Sequence, residues 1–78
     1  MMTRMRAERR RRYWSASYVG DQLGITRTAV FYLETKQRKP SYDILMGLED
    51  LFELPGRELF ELVEDVPDTT SKKEGGEI

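Results

Sequence analysis

The chain has 78 residues, a formal net charge of −1, and neither cysteine nor histidine. A chain of this length buries only about 60% of its unfolded surface, so one small domain held by apolar packing is predicted, and disulfide bonds, thiolate sites and histidine catalysis are excluded. No segment has the roughly 18 apolar residues that span a bilayer, and no apolar signal-peptide core follows the first arginines, which predicts a soluble, cytoplasmic protein without membrane contact.

The charges are divided unequally between the two halves of the chain. Residues 1–40 contain ten Lys or Arg and three acidic residues, a net charge of +7. Residues 41–78 contain three Lys or Arg and eleven acidic residues, a net charge of −8. Such a split is one compositional indication of nucleic-acid binding. The alternative is that both charge runs are solvated surface.

The first predicted helix lies in the arginine-rich segment 1–14. Met5, Arg9 and Arg12 have helical spacing, and neither Gly nor Pro interrupts the segment. The four consecutive arginines of residues 9–12 spread around a helix at about 100° per residue, so at least one must face the protein and require a carboxylate. The others are predicted to be available for phosphate, with a merely soluble basic helix as the alternative.

A second short helix is predicted to begin at a serine cap and to end at a glycine. Ser15 or Ser17 can supply the cap, and Gly24 suits the left-handed conformation in which many helices end. Gly20 inside the helix weakens it relative to alanine, which predicts a close backbone approach to a neighbouring helix.

The third predicted helix has Thr26 as its cap and continues to about Thr35. Its inward face consists of Ala29, Val30 and Leu33. Two short helices joined by a turn of three or four residues that contains glycine form the helix-turn-helix motif. The basic loop that follows ends at Pro40, which stops any helix.

A fourth helix is predicted to begin at Ser41 or Asp43 and a fifth to run from residue 57 to residue 65, where Pro67 stops it. The apolar face of the fourth helix consists of Ile44, Leu45, Leu48, Leu51 and Phe52. These elements predict a compact all-α domain of five helices over residues 1–67. Residues 68–78 lack apolar content, which predicts a disordered acidic tail.

Many positions between residues 14 and 60 match one known pattern, in the segment WSASYVGDQLGITRTAVFYLETKQRKPSYDILMGLEDLFELPGRELF. The matching positions are Ser15, Val19, Leu23, Gly24, Ile25, Thr26, Val30, Leu33, Glu34, Lys39, Pro40, Leu45, Leu48, Phe52 and Leu59. With this pattern the chain resembles the lambda-repressor-like, Xre-type helix-turn-helix regulators of phages and bacteria. The resemblance implies a five-helix fold in which the third helix enters the major groove of DNA and the second lies across the backbone.

The resemblance also implies a structural ion pair and exposes two departures. Arg9 lies where the family places an arginine that pairs with the glutamate matching Glu34. The glutamine expected at the start of the second helix is Ala16, so one phosphate contact is missing. The expected Asn-Gly after the glutamate is Thr35-Lys36, which loses an easy left-handed cap and adds a cation. We therefore expect Lys36 to be strained or the third helix to end differently.

Base reading requires side chains on the outer face and N-terminal end of the third helix. Those positions are Arg27, Thr28, Phe31 and Tyr32. Arg27 suits guanine, Thr28 and Phe31 suit a thymine methyl group, and Tyr32 suits a phosphate or a base edge. The alternatives are that Phe31 and Tyr32 pack on the fourth helix or a dimer partner, and that Arg27 is ordinary surface.

A second set of residues flanks that helix and suits phosphate oxygens through hydroxyl groups, backbone amides or charge. This set consists of Ser15, Ser17, Thr26, Thr35, Lys36, Arg38 and Lys39. A dimer is also predicted, because an apolar stripe with i, i+3, i+4 and i+7 spacing continues beyond the matched pattern. The stripe consists of Leu59, Leu62, Val63 and Val66, and its alternative role is to pack on the domain's own core.

Two functions follow as hypotheses. The first is a sequence-specific transcriptional regulator, a repressor or controller that binds double-stranded DNA as a homodimer. The second is a protein-interaction module of the same fold, such as an antitoxin or an antagonist of another regulator, and the acidic second half of the chain favours it. No nucleophile and base pair, metal-ligand cluster or phosphate loop is present, so neither an enzyme nor a cofactor is predicted.

Overall fold

The computed structural model describes residues 1–67, so the predicted tail at residues 68–78 lies outside the described part of the chain. The helices are α1 (Arg4–Arg11), α2 (Ala16–Leu23), α3 (Arg27–Glu34), α4 (Tyr42–Phe52) and α5 (Gly56–Leu59), and the strands are β1 (Met2–Thr3) and β2 (Leu62–Val63). The predicted all-α fold with five helices is confirmed. The two short strands were not predicted.

Side-chain caps begin the first four helices. In each, a hydroxyl oxygen accepts a hydrogen bond from the backbone N–H three residues later, which satisfies one of the donors that a helix start leaves open. The capping residues are Thr3, Ser15, Thr26 and Ser41. Of the predicted alternatives, Ser15 rather than Ser17 caps α2, and Ser41 rather than Asp43 caps α4.

The turn between α2 and α3 depends on two glycines. Gly24 ends α2 with a φ of 73°, in the left-handed region that suits glycine. At Gly20, an added Cβ would lie 2.6 Å from the carbonyl oxygen of Ile25. The expected close approach at Gly20 is therefore present, but its neighbour is the backbone of the turn rather than another helix. The Ile25 N–H also donates to the Gly20 carbonyl at 2.9 Å.

The core receives side chains from all five helices. Its buried members are Met5, Val19, Val30, Leu33, Leu48, Phe52 and Leu59. In α4 the predicted apolar face is only partly enclosed, since Leu48 and Phe52 are buried while Ile44, Leu45 and Leu51 are half-buried. α2 and α3 pack directly against each other and hold the outward side of α3 in a fixed orientation.

The predicted extent of the fifth helix, residues 57–65, is wrong. α5 ends at Leu59, and residues 62 and 63 pair instead with β1 in an antiparallel register that joins Met2 to Val63 and Thr3 to Leu62. The Arg4 N–H extends this pairing with a 2.8 Å bond to the Glu61 carbonyl. The N-terminal segment thus supplies the backbone partners that a longer helix would have supplied internally.

The change of structure separates the residues of the predicted apolar stripe. Leu59 is fully buried in the core, Leu62 is 56% exposed, and Val63 and Val66 are half-buried. A helical stripe for dimerisation is therefore not formed. The helical spacing of these four side chains was misleading because a strand pairing made with the N-terminus is not visible in the local pattern.

No helix among residues 1–67 is long and apolar enough to cross a membrane. Within the same residues, no group of three or more acidic side chains is arranged to hold a metal ion.

Candidate nucleic-acid interface

The outer face of α3 carries the four residues predicted to contact bases. At about 100° per residue they lie within an arc of roughly 140°. Arg27 and Thr28 are exposed in the first turn, Phe31 is 46% exposed, and Tyr32 is half-buried. The opposite side of the helix is buried through Val30 and Leu33, so packing against the core directs the first set outward.

The two aromatic rings of α3 are held by arginines from outside the helix. The Arg6 guanidinium carbon lies 5.6 Å from the centre of the Phe31 ring, and that of Arg38 lies 4.7 Å from the Tyr32 ring. The ring centres of Phe31 and Tyr32 are 6.1 Å apart. These contacts connect Phe31 to α1 and Tyr32 to the basic loop, whereas the alternative considered for both rings was packing on α4 or on a dimer partner.

The starts of α2 and α3 present backbone amides together with hydroxyl groups. Ser15 and Thr26 cap these helices, and their oxygens accept from Tyr18 N and Ala29 N at 2.9 and 3.0 Å. Ser17 is exposed in the first turn of α2. First-turn N–H groups and the helix dipole favour anions, so both helix starts have the chemistry that binds phosphate oxygens.

The basic loop after α3 begins with an ordered turn. The Thr35 hydroxyl donates to the Phe31 carbonyl at 2.8 Å and accepts from Gln37 Nε2 at 3.0 Å. The backbone N–H groups of Gln37 and Arg38 both donate to the Tyr32 carbonyl, at 2.9 and 3.3 Å. The carbonyl groups of Phe31 and Tyr32 are thus satisfied, and the cationic side chains of the loop are exposed, with the Arg38 guanidinium over the Tyr32 ring. These exposed cations are Lys36, Arg38 and Lys39.

Lys36 has a φ of 62°, in the left-handed region. Helix α3 therefore ends in the conformation that a glycine would adopt, although a residue with a side chain occupies the position. For such a residue the left-handed conformation costs about 1–2 kcal/mol. The strain expected at Lys36 is present, and the alternative of a different helix end is not.

A buried cluster, which we call the Glu34 cluster, joins Glu34 to Arg6 and Arg9. Arg9 donates from Nε to Glu34 Oε2 at 2.6 Å and from Nη2 to Oε1 at 3.2 Å, and Arg6 Nε donates to Oε1 at 3.0 Å. Arg9 also donates to the Trp14 carbonyl at 3.0 Å, and the Thr3 hydroxyl donates to the Glu34 carbonyl at 2.8 Å. The end of α3 is thereby attached to β1 and α1.

A second cluster, the Glu8 cluster, lies at the surface of α1 and joins Glu8 to Arg4, Arg11 and Arg12. The distances from the Glu8 carboxylate to these three guanidinium groups are 3.4, 3.0 and 2.6 Å. Burial raises the pKa of Glu8, but hydrogen bonds and charge from Arg12, followed by the hydrogen bond from Arg4 and the charge of Arg11, outweigh it and lower the pKa below its ordinary value.

The prediction that all but one of the four arginines 9–12 are available for phosphate is wrong. Arg9 is buried on Glu34, Arg11 and Arg12 are bound to Glu8, and Arg10 donates to the Val66 carbonyl at 2.9 Å. Arg9 and Arg10 are bound by groups 25 and 56 positions away, whereas Arg11 and Arg12 stand three and four residues after Glu8, a spacing at which helical side chains meet. That spacing is visible in the sequence and could have revealed the Glu8 cluster.

Arg6 is the residue of this region that sequence reasoning missed. It lies 28 positions from Glu34 in the chain and contacts both that carboxylate and the Phe31 ring. No local pattern connects α1 to the outer face of α3, so only the packing of the two helices could show this contact.

Comparison with known proteins gave one match. The family model described as HTH_3: Helix-turn-helix matches residues 5–59, which begin within α1 and extend to the end of α5. No curated protein and no solved structure matched the chain significantly.

Proposed function

The chain belongs to the helix-turn-helix family HTH_3, whose members are DNA-binding regulators and usually not enzymes, and we propose that it reads a specific sequence in double-stranded DNA with the outer face of α3. The observation that carries the proposal is the division of α3 into two sides. Val30 and Leu33 anchor one side in the core, while Arg27, Thr28 and Phe31 leave the other side accessible along an eight-residue helix.

Base contacts are proposed for each residue on that side. Arg27 donates two hydrogen bonds to guanine O6 and N7, a contact worth about 1–3 kcal/mol of discrimination. Thr28 and Phe31 contact thymine methyl groups. Tyr32 is half-buried beneath Arg38, which favours a phosphate or the edge of a base near the end of the helix.

Phosphate contacts are proposed on both sides of α3. The starts of α2 and α3 supply hydroxyl and amide groups, and the basic loop supplies cations. These residues are Ser15, Ser17, Thr26, Thr35, Lys36, Arg38 and Lys39. They determine the register of the protein on DNA, whereas the outer face of α3 determines which sequence is preferred.

The protein is proposed to act as a homodimer on a palindrome, as a cytoplasmic repressor or controller. One α3 reads only a few base pairs, and two copies would read half-sites about one helical turn apart. Among the four residues of the predicted interface, Leu62, Val63 and Val66 remain partly accessible, whereas Leu59 belongs to the core. Sedimentation that shows only monomer at tens of micromolar, with and without DNA, would contradict the dimer.

The decisive experiment selects bound sites from random DNA with the native protein and with Arg27→Ala in parallel. We expect a palindromic motif that loses its guanine preference at one position of each half-site in the variant. Arg57→Ala is the matched control, since Arg57 is an exposed arginine on α5. If Arg27→Ala selects the native motif, the assignment of the guanine contact is wrong.

The salt dependence of binding tests the electrostatic part of the proposal. Neutralisation of about six phosphates per dimer predicts a slope of log affinity against log salt near −5. A slope near zero would contradict DNA binding. Co-purification of a stoichiometric protein in place of a selected DNA motif would instead favour the interaction module.

A further inference from the structure

We infer that Arg6 is a positioning residue for base recognition, because it holds the Phe31 ring in the orientation that contacts a thymine methyl group. The inference rests on the proposed function of α3 as the reading helix. It assigns a role in specificity to a side chain of α1 that does not need to touch DNA.

The carboxylate that holds Arg6 has a fixed position. Glu34 has only 1% of its side chain exposed, and two nitrogens of Arg9 bind its two oxygens at 2.6 and 3.2 Å. Arg9 itself is attached to the Trp14 carbonyl at 3.0 Å. Paired hydrogen bonds between a guanidinium and a carboxylate specify direction as well as distance. Glu34 therefore offers Arg6 one defined acceptor.

Arg6 is bound to this fixed carboxylate and in turn restrains the Phe31 ring. Its Nε donates to Glu34 Oε1 at 3.0 Å, while its guanidinium carbon lies 5.6 Å from the centre of the Phe31 ring. That distance falls within the range of about 6 Å in which a cation is attracted to an aromatic face. Tyr32 limits the ring from a second direction, with its ring centre 6.1 Å away.

The Phe31 ring would otherwise be poorly restrained. It is 46% exposed on the outer face of α3, and an exposed side chain exchanges rotamers rapidly. Apolar contact with a thymine methyl group discriminates between bases only while the ring stays beside it. A ring held by Arg6 before binding does not have to be ordered during binding, which favours the complex with the correct base.

Uracil substitution isolates this contact, because uracil differs from thymine only by the missing methyl group. Each thymine of the selected DNA site is replaced in turn, and affinities are measured for the native protein, Phe31→Ala, Arg6→Met and Arg4→Met. The position at which uracil weakens the native protein but not Phe31→Ala is the Phe31 contact. At that position we expect Arg6→Met to reduce the uracil penalty about two- to fivefold.

Arg4→Met is the matched control. Arg4 is on the same helix and binds two carboxylates, those of Glu8 and Glu58, as Arg6 binds one carboxylate and one ring. We expect its uracil penalty to equal that of the native protein. The double variant with Arg6→Met and Phe31→Ala should lose no more of the discrimination between thymine and uracil than Phe31→Ala alone, since Arg6 acts through the ring.

Two outcomes would overturn the inference. One is an unchanged uracil penalty in Arg6→Met. The other is a uniform loss of affinity at all DNA sites with a salt slope reduced by about two units, one for each protomer of the dimer, which would identify Arg6 as a phosphate contact instead. If Arg6→Met does not fold, Arg6→Lys replaces it, because lysine retains the positive charge but lacks the planar group that covers the ring.

An NMR measurement without DNA separates this inference from the proposed function. The Phe31 ring current should shift the side-chain protons of Arg6, and this shift should disappear in Phe31→Leu. The chemical shifts of the Phe31 ring should change in Arg6→Met and should stay as in the native protein in Arg4→Met. If the proposed function is wrong, the selection yields no DNA motif although the NMR signals are as expected. A normal motif without the ring-current shift would contradict the positioning role alone.

Discussion

The Glu8 cluster and the Glu34 cluster use the same chemistry in different environments. Both join one carboxylate to more than one arginine, but the Glu8 side chain is 13% exposed and pairs within its own helix, whereas that of Glu34 is 1% exposed and pairs across 25 or more positions of the chain. The first can form in an isolated helix. The second exists only when α1 and α3 are packed together.

This difference determines what each cluster contributes. A surface ion pair adds little to stability because water and salt screen it. Removal of one partner from a buried pair is costly because the other charge remains without its counter-ion in a low-dielectric interior. The Glu8 cluster therefore offsets part of the positive charge of Arg4, Arg11 and Arg12, while the Glu34 cluster holds the C-terminal end of α3.

The largest effect is expected from Glu34→Gln. The variant leaves the buried Arg9 without a charged partner, so the free energy of unfolding should fall by about 3–5 kcal/mol. Urea denaturation monitored by the fluorescence of Trp14 measures the change. A loss below about 1 kcal/mol would show that the two clusters do not differ as proposed.

Lys36→Gly tests the strain that lies beside the Glu34 cluster. Lys36 has a φ of 62°, so glycine should raise the free energy of unfolding by about 1 kcal/mol. Lys36→Ala is the control, because it removes the charge but keeps a Cβ in the left-handed region. An equal gain in both variants would attribute the effect to charge and not to the backbone.

Glu8→Gln is expected to have a smaller effect than Glu34→Gln. At neutral pH the free energy of unfolding should fall by about 1 kcal/mol, since the partners of Glu8 are largely accessible to water. If the two clusters differ as described, the loss in free energy of unfolding must be clearly smaller for Glu8→Gln than for Glu34→Gln under identical conditions. Equal losses in the same urea experiment would contradict it.

The contribution of Glu8 should depend on pH in a defined direction. Its pKa is lowered in the folded protein from the ordinary value of 4.5, so the unfolded chain takes up the proton first as the pH falls. The stability due to Glu8 is thus present above about pH 4.5 and is lost as the pH falls through the lower pKa of the folded state. The difference between the native protein and Glu8→Gln should decrease over that window in parallel urea titrations. A difference that grows on acidification would reverse the assigned sign.

Arg11→Ala should have the smallest effect. Arg11 binds Glu8 at 3.0 Å, but its side chain is 53% exposed, so the free energy of unfolding should change by no more than about 0.5 kcal/mol. Thermal unfolding at low and high salt measures this contribution. A loss that approaches that of Glu34→Gln would place the Glu8 cluster among the principal stabilising interactions.

Local chemistry made much of the fold predictable. Thr26 caps α3 and Gly24 ends α2, as expected from their side chains, because caps and left-handed helix ends depend on neighbours within a few residues. The strain at Lys36 was one of two outcomes expected from the resemblance, since a residue with a Cβ stands where the family expects glycine. The division of α3 into a buried and an outward side also followed from its spacing.

Other features could not be derived from local patterns. Residues 59–66 have helical spacing, yet β2 pairs with β1 from the opposite end of the chain. No pattern in the sequence distinguishes Arg6 from the other arginines of its helix, yet it connects Glu34 to Phe31. In both cases the deciding partner is far away in sequence, and local periodicity carries no information about it.

The sequence by itself determined the five-helix fold, the cap of α3, the turn between α2 and α3 and the face of α3 directed outward, because hydrogen bonds and side-chain spacing within a few residues specify them. Only the tertiary structure decided how Arg9 and Arg10 are bound, where α5 ends and how Phe31 is held. Those outcomes depend on burial and on contacts between distant segments, and their free energies arise only when the segments meet.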